Sequence, residues 1–228
     1  MDRKVPFEIG EMYHLYTRGV EKRIIFMQES DKKRFILLLL LCNGENSIRL
    51  ADFIKISQGE PLRKACEVRE KSTPLVDILA YVLMPNHIHL MVRERTEKGV
   101  SKFMLKLMTA YAMFFNTKYE RSGPLFTRPF RSRHIDTDGY ACWVFAYIHT
   151  NQIALKQSDW KRAGIQNLAE TARYLQNYAY SSYPDYFGNQ RVESRILSKE
   201  ALPFELDALK NIDDLLTLLS TNTPESLL

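Results

Sequence analysis

The chain has 228 residues, 45% of them hydrophobic and 26% charged, with nine glycines and nine prolines. That fits one globular domain with an ordinary core and an appended segment, and it excludes collagen-like, low-complexity and disordered classes. The net charge of +5 is uneven: residues 199–228 hold two lysines against six acids, a net −4, so residues 1–198 carry +9.

A basic body suits a polyanionic partner, and it also serves plain solubility. The longest apolar run, residues 35–42, is too short to cross a bilayer. The first residues, MDRKVPFEIGEMY, lack an apolar stretch, so no secretory signal is expected. Cys42, Cys66 and Cys142 are far apart and form no CxxC pair. A reduced, cytoplasmic setting is expected, with neither a disulfide framework nor a zinc ribbon.

In chain order, the alternating aromatic segment 12–19 (MYHLYTRG) predicts a strand, and 31–42 a helix with Ser30 as N-cap. A polar stretch follows, with a Gly-Glu-Pro break at 59–61 and a helix over 62–71. VDILAYVLM (76–84) and HIHLMVR (87–93) read as two strands joined by the Pro85-Asn86 turn. Val100, Phe103, Leu107, Tyr111 and Phe114 share one helical face, and Ser122-Gly123-Pro124 ends that helix. A short strand within 128–136 and a helix over 138–156 complete the series. This order predicts an α+β fold of the ferredoxin-like, split βαβ kind: an antiparallel sheet with helices on one face.

The sharpest local feature is Pro85-Asn86-His87-Ile88-His89-Leu90. On a strand, residues two apart share a face, so His87 and His89 project side by side. Two imidazoles suit a divalent metal ion, although a bare HxH also occurs on solvated strand faces. In WVFAYIHTNQ (143–152), Tyr147 and Asn151 are four apart and share a helical face. A phenol and an amide oxygen could thus reach a metal held by the histidines, and a phenolate is a feasible nucleophile at phosphorus. Residues 121–134 (RSGPLFTRPFRSRH) interleave Arg121, Arg128, Arg131 and Arg133 with Phe126 and Phe130, without an acid. Arginines neutralise phosphates and aromatics stack on unpaired bases, so the segment suits single-stranded nucleic acid; a solvated loop with buried phenylalanines is the plainer alternative. Arg18 and Arg23 are weaker candidates of the same type.

Read together, YHLYTRG (13–19), YVLMPNHIHLMV (81–92), LMTAYAMFFNTKYERSGPLFTRPFRS (107–132), AYIHTNQ (146–152) and YAYSSYPDYFG (178–188) resemble the REP-associated tyrosine transposases. These are single-tyrosine HUH transposases of the insertion-sequence class, and the resemblance runs in order over roughly residues 10–190. It implies a ferredoxin-like HUH nuclease domain over 1–190; two stretches depart from the family, 43–74, which is longer than the equivalent link in compact relatives and is expected to be an insertion, and 191–228, which carries no family motif and is expected to be an acidic, helical extension. It places the paired histidines on His87 and His89, the nucleophile on Tyr147 and the third metal ligand on Asn151. Gln152, where relatives often have Pro, is a weaker alternative ligand. Tyr111 is the rival nucleophile, but its place on the apolar stripe favours packing.

The implied activity is that of a metal-dependent DNA endonuclease and ligase, with Mg²⁺ or Mn²⁺ as cofactor. It would cut and rejoin single-stranded DNA through a 5′-phosphotyrosine. The implied partner is single-stranded DNA with hairpin-forming repeats, and the protein would be a monomer or homodimer with no membrane association. The alternatives are a domesticated hairpin-binding protein that no longer cuts, an RNA-binding module, and a structural zinc site. The last two lack, respectively, an aromatic RNA-binding signature on the strands and a four-ligand set.

Overall fold

The computed structural model describes residues 6–46, 50–57, 59–188 and 191–221. Its strands are β1 (Met12–Arg18), β2 (Val76–Met84), β3 (His87–Glu94) and β4 (Arg131–Ile135). Its helices are α1 (Glu29–Leu41), α2 (Leu50–Ile56), α3 (Pro61–Glu70), α4 (Gly99–Lys118), α5 (Asp138–Thr150), α6 (Trp160–Ala163), α7 (Leu168–Asn177), α8 (Tyr183–Phe187) and α9 (Ile212–Thr221).

The four strands form one antiparallel sheet in the order β2-β3-β1-β4. This is the split βαβ arrangement expected from the order of elements. Alternation along each strand sends its residues to two separate cores. Tyr13, Leu15, Tyr81, Leu83, Ile88 and Leu90 join α1 and α4 in the first core. Val82, Met84 and Met91 join α5 and α9 in the second. The expected helical layer is therefore present, and a further one covers the opposite face. This explains why every residue of β2 is buried. A bulge between Ile78 and Ala80 resets the alternation, so both Leu79 and Ala80 enter the second core.

Helix boundaries follow the capping groups. Helix α1 begins before Ser30, at Glu29, because Asp31 reaches back to accept from the backbone N–H groups of Met27 and Gln28. Glu94 at the end of β3 accepts from the N–H groups of Gly99 and Val100 and so starts α4. Gly99 is required there, since a Cβ would lie 2.1 Å from the Leu75 carbonyl oxygen. Helix α5 stops at Thr150, short of the expected 156, and a 3₁₀ turn continues over residues 151–155.

The exposed edge of β2 is covered by the segment after α7. Leu83 N–H donates to the Tyr180 carbonyl, Ser182 N–H to the Tyr81 carbonyl, and Ser198 N–H to the Ile78 carbonyl. The tyrosine-rich run 178–188 thus closes a sheet edge. In the expected insertion, α2 and α3 are its helices. In the expected acidic extension, three 3₁₀ turns precede α9. Residues 47–49, 58 and 222–228 of those two stretches lie outside the described residues.

Candidate active site

Register builds the site. Antiparallel pairing sets Arg18 opposite His87 and Tyr16 opposite His89. It sets His14 opposite Arg133 and Tyr16 opposite Arg131. Facing partners share a side of the sheet, so His87, His89, His14, Tyr16, Arg18, Arg131 and Arg133 all project toward α5. Tyr147 descends from α5 onto this row: its ring centroid lies 5.3 Å from that of His89 and 5.9 Å from that of His14. The rings of His87 and His89 are 5.1 Å apart. Asn151 lies just past the end of α5 with helical dihedrals, one turn below Tyr147. Its amide lies close enough to His87 and to the Tyr147 hydroxyl to influence the titration of both. The four residues singled out in the sequence therefore converge.

Each histidine has one nitrogen tied to a neighbour. His87 Nδ1 donates to Asn86 Oδ1 at 2.6 Å, and Asn86 is itself oriented by donating to the Lys22 carbonyl. His89 Nδ1 and His14 Nε2 share a hydrogen bond of 2.9 Å, buried from water. With His89 as the donor, the Nε2 atoms of His87 and His89 keep their lone pairs. Burial, aided by the Arg133 charge, pushes His14 down to about 3. Burial and the Arg18 charge push His87 down to about 4, and burial takes His89 well below the usual range. Neutral imidazoles are the form that ligates metal.

Among the described residues no three or more His, Cys, Asp or Glu cluster to hold a metal ion. The available donor set is two imidazoles and an amide oxygen, which fits a six-coordinate divalent cation that keeps its other positions for water or phosphate. Burial raises the Tyr147 hydroxyl above its ordinary range, while the Asn151 amide and the Arg18 charge pull it down.

The structure agrees with the packing role expected of Tyr111. Tyr111 is fully buried in the first core, across the sheet from the histidines, and its hydroxyl donates to the Ile25 carbonyl. Gln152 is fully buried and its amide nitrogen donates to Ser181 Oγ. The arginine-aromatic segment 121–134 is divided between the two faces of the sheet. Arg131 and Arg133 lie on the site face. Phe126, only 3% exposed, packs on Tyr111 in the first core, and Phe130 lies parallel to Phe7 against that same core. Phe126 is therefore sealed from a base, whereas Phe130 is half-buried. Arg121 is bound to Asn116 at the end of α4, Arg128 lines a groove with Phe126 and Met113, and Arg23 pairs with Glu21.

Several site residues were not anticipated. His14 was legible in principle, because β1 alternation puts it on one face with Arg18, but only the strand register shows which neighbours that face meets. Beside Tyr147 lies a cavity of about 900 Å³. Trp143 stacks on the Tyr147 ring at 5.1 Å, and the Lys161 ammonium sits 4.7 Å from the centre of that ring.

Residues 58–151 match the family of IS200-like transposases. The matched stretch holds His87, His89, Tyr147 and Asn151, upholds the resemblance read from the sequence and supports transposase function. It leaves out β1, with His14 and Arg18. No curated protein matches the chain. Among solved structures, a REP-associated tyrosine transposase bound to a REP hairpin is similar. It is 11% identical, with a TM-score of 0.43, over 82% of this chain and 84% of the other. Among the described residues no helix is long and apolar enough to cross a membrane.

Proposed function

We propose that this IS200-like transposase region is a DNA strand transferase that cuts and rejoins single-stranded DNA through Tyr147. The observation that carries the reading is the convergence of Tyr147, Asn151, His87 and His89 on one face, with the rival Tyr111 sealed on the other. The Tyr147 oxygen bonds to the scissile phosphorus and loses its proton, while the phosphorus–3′-oxygen bond breaks and that oxygen becomes a free 3′-OH. The 5′ end stays on the tyrosine. The phosphoester energy is conserved, so attack by another 3′-OH restores a continuous strand and frees Tyr147.

Asn151, one helical turn from Tyr147, has its amide where it can orient the phenol. Arg18 favours the phenolate and, with Arg131 and Arg133, offers positive charge to the strand's phosphates. Asn86 and His14 fix the imidazole orientations. A divalent cation, Mg²⁺ or Mn²⁺, bound by His87, His89 and Asn151, would polarise a non-bridging phosphate oxygen. The sequence resemblance adds the expected partner, single-stranded DNA bearing hairpin-forming repeats.

The test is a denaturing gel of labelled single-stranded DNA incubated with the protein and Mn²⁺. A covalent adduct is expected with wild type and with Tyr111→Phe. None is expected with Tyr147→Phe or in EDTA. An adduct that survives Tyr147→Phe, or an undiminished one in EDTA, overturns the mechanism.

A further inference from the structure

We propose that the cavity beside Tyr147 is a pocket for one unpaired nucleobase of the strand being cut, adjacent to the cleaved phosphate; this rests on the strand-transferase reading above.

Three features select such an occupant. The first is aromatic surface. Tyr140, Trp143 and Tyr147 recur along one face of α5, with Tyr140 stacked on Trp143 at 6.3 Å and Trp143 on Tyr147 at 5.1 Å. They line the cavity together with Trp160. Stacking on such surfaces is how proteins hold unpaired bases. The second is an unmet donor. Trp160 is 7% exposed, yet among the described residues its indole Nε1–H has no hydrogen-bond partner. A buried donor of this kind calls for an acceptor, which a base supplies through its carbonyl oxygens and ring nitrogens and a hydrocarbon ligand does not. The third is charge and size. Among the described residues, Arg133 and Lys161 line the cavity beside one carboxylate, Asp213, which suits a ligand carrying flanking phosphates. About 900 Å³ admits a base with its sugar.

The cavity shares His14, His89 and Tyr147 with the catalytic row. A base seated there would fix the register of the neighbouring phosphate against Tyr147, so the pocket would help choose the bond that is cut. Trp160 would act as a positioning residue.

Both tryptophans of the chain line this cavity, so intrinsic fluorescence reports its occupancy directly. The full chain, in EDTA, is titrated with fluorescein-labelled dT₁₂, dA₁₂ and an abasic 12-mer of equal phosphate number. Anisotropy reads binding and tryptophan emission reads the pocket. The expected result is quenching by dT₁₂ or dA₁₂, and binding of the abasic strand without quenching. Trp160→Phe keeps an aromatic side chain and removes the indole's second ring together with the unmet N–H. It should weaken the preferred oligonucleotide by about fivefold or more, fivefold being the factor for one neutral hydrogen bond. Binding of the abasic strand should not fall, whatever the cost of the smaller ring to the melting temperature.

Equal quenching by the abasic strand overturns the pocket. So does a Trp160→Phe variant that leaves the ratio of base-bearing to abasic affinity unchanged. Deoxythymidine monophosphate is the arm for a free nucleotide. Saturation by it at or below the 12-mer's concentration overturns placement on a strand. The adduct gel separates the two readings: an adduct without base-dependent quenching sinks the pocket alone, and base-dependent quenching without an adduct sinks the transferase mechanism alone.

Discussion

Replacing Arg18, Arg131 and Arg133 together with Gln tests whether DNA runs along the site face. The structure puts all three beside the histidines through strand register, and puts Arg121 and Arg128 elsewhere. Each phosphate contact to a single strand contributes about 0.7 to the slope of log affinity against log salt, so three lost contacts should flatten it by about 2. Between 50 and 200 mM salt the wild type should accordingly lose roughly 20-fold more affinity than the variant. The assay is anisotropy of a labelled single strand across that salt range, with Arg121→Gln/Arg128→Gln in parallel. The loss should be similar for different sequences, because phosphate contacts position a strand without reading bases. Equal flattening by the Arg121/Arg128 pair, or an unchanged slope in the triple variant, would refute the assignment of the DNA path to this face.

Four further outcomes follow from named contacts. His14→Ala removes the acceptor that orients His89 and should lower Mn²⁺ affinity and adduct yield about 10- to 100-fold, with metal-free DNA binding kept; calorimetry and the gel read both. Phe126→Ala should cost roughly 3–5 kcal/mol of stability by urea denaturation, without the loss of base stacking that an exposed ring would show. Tyr111→Phe should cost about 1–3 kcal/mol, because the buried Ile25 carbonyl loses its donor, while the adduct persists. Burial raises the Asp31 carboxyl, but hydrogen bonds from Lys118, Tyr119 and the Gln28 backbone outweigh it and hold it below the usual range. Its stabilisation is therefore present above the unfolded carboxyl's pKa and is lost as pH falls through the lower folded value. Asp31→Asn should flatten that acid limb of a stability–pH curve, and an unaltered limb would show that other carboxylates cause it.

The elements whose signal is local were legible. Strands β2 and β3 stand where the apolar run, the Pro-Asn turn and the HxH alternation put them, and Tyr147 meets Asn151 because four residues make a helical turn even where α5 gives way to a 3₁₀ turn. What the sequence hid is set by partners distant along the chain. Helix α5 crosses to the second face of the sheet, and its near-continuous apolar run carries no mark of which face it covers. The segment 121–134 looks uniform in composition, yet β4 begins at Arg131, and there strand pairing takes over. From that residue alternation turns Arg131 and Arg133 to the site, while Phe126, five positions earlier, has entered the opposite core. The same logic explains why Trp160 and Lys161 escaped notice. They lie on a four-residue helix with no periodic pattern, and reach Tyr147 only because the turn after α5 folds the chain back over it. Chemistry that depends on i, i+2 or i+4 spacing is written in the sequence, whereas the arginines, His14 and the tryptophan pocket depend on register and on the return of the chain. The residues that orient the strand are for that reason the ones that the three-dimensional arrangement adds.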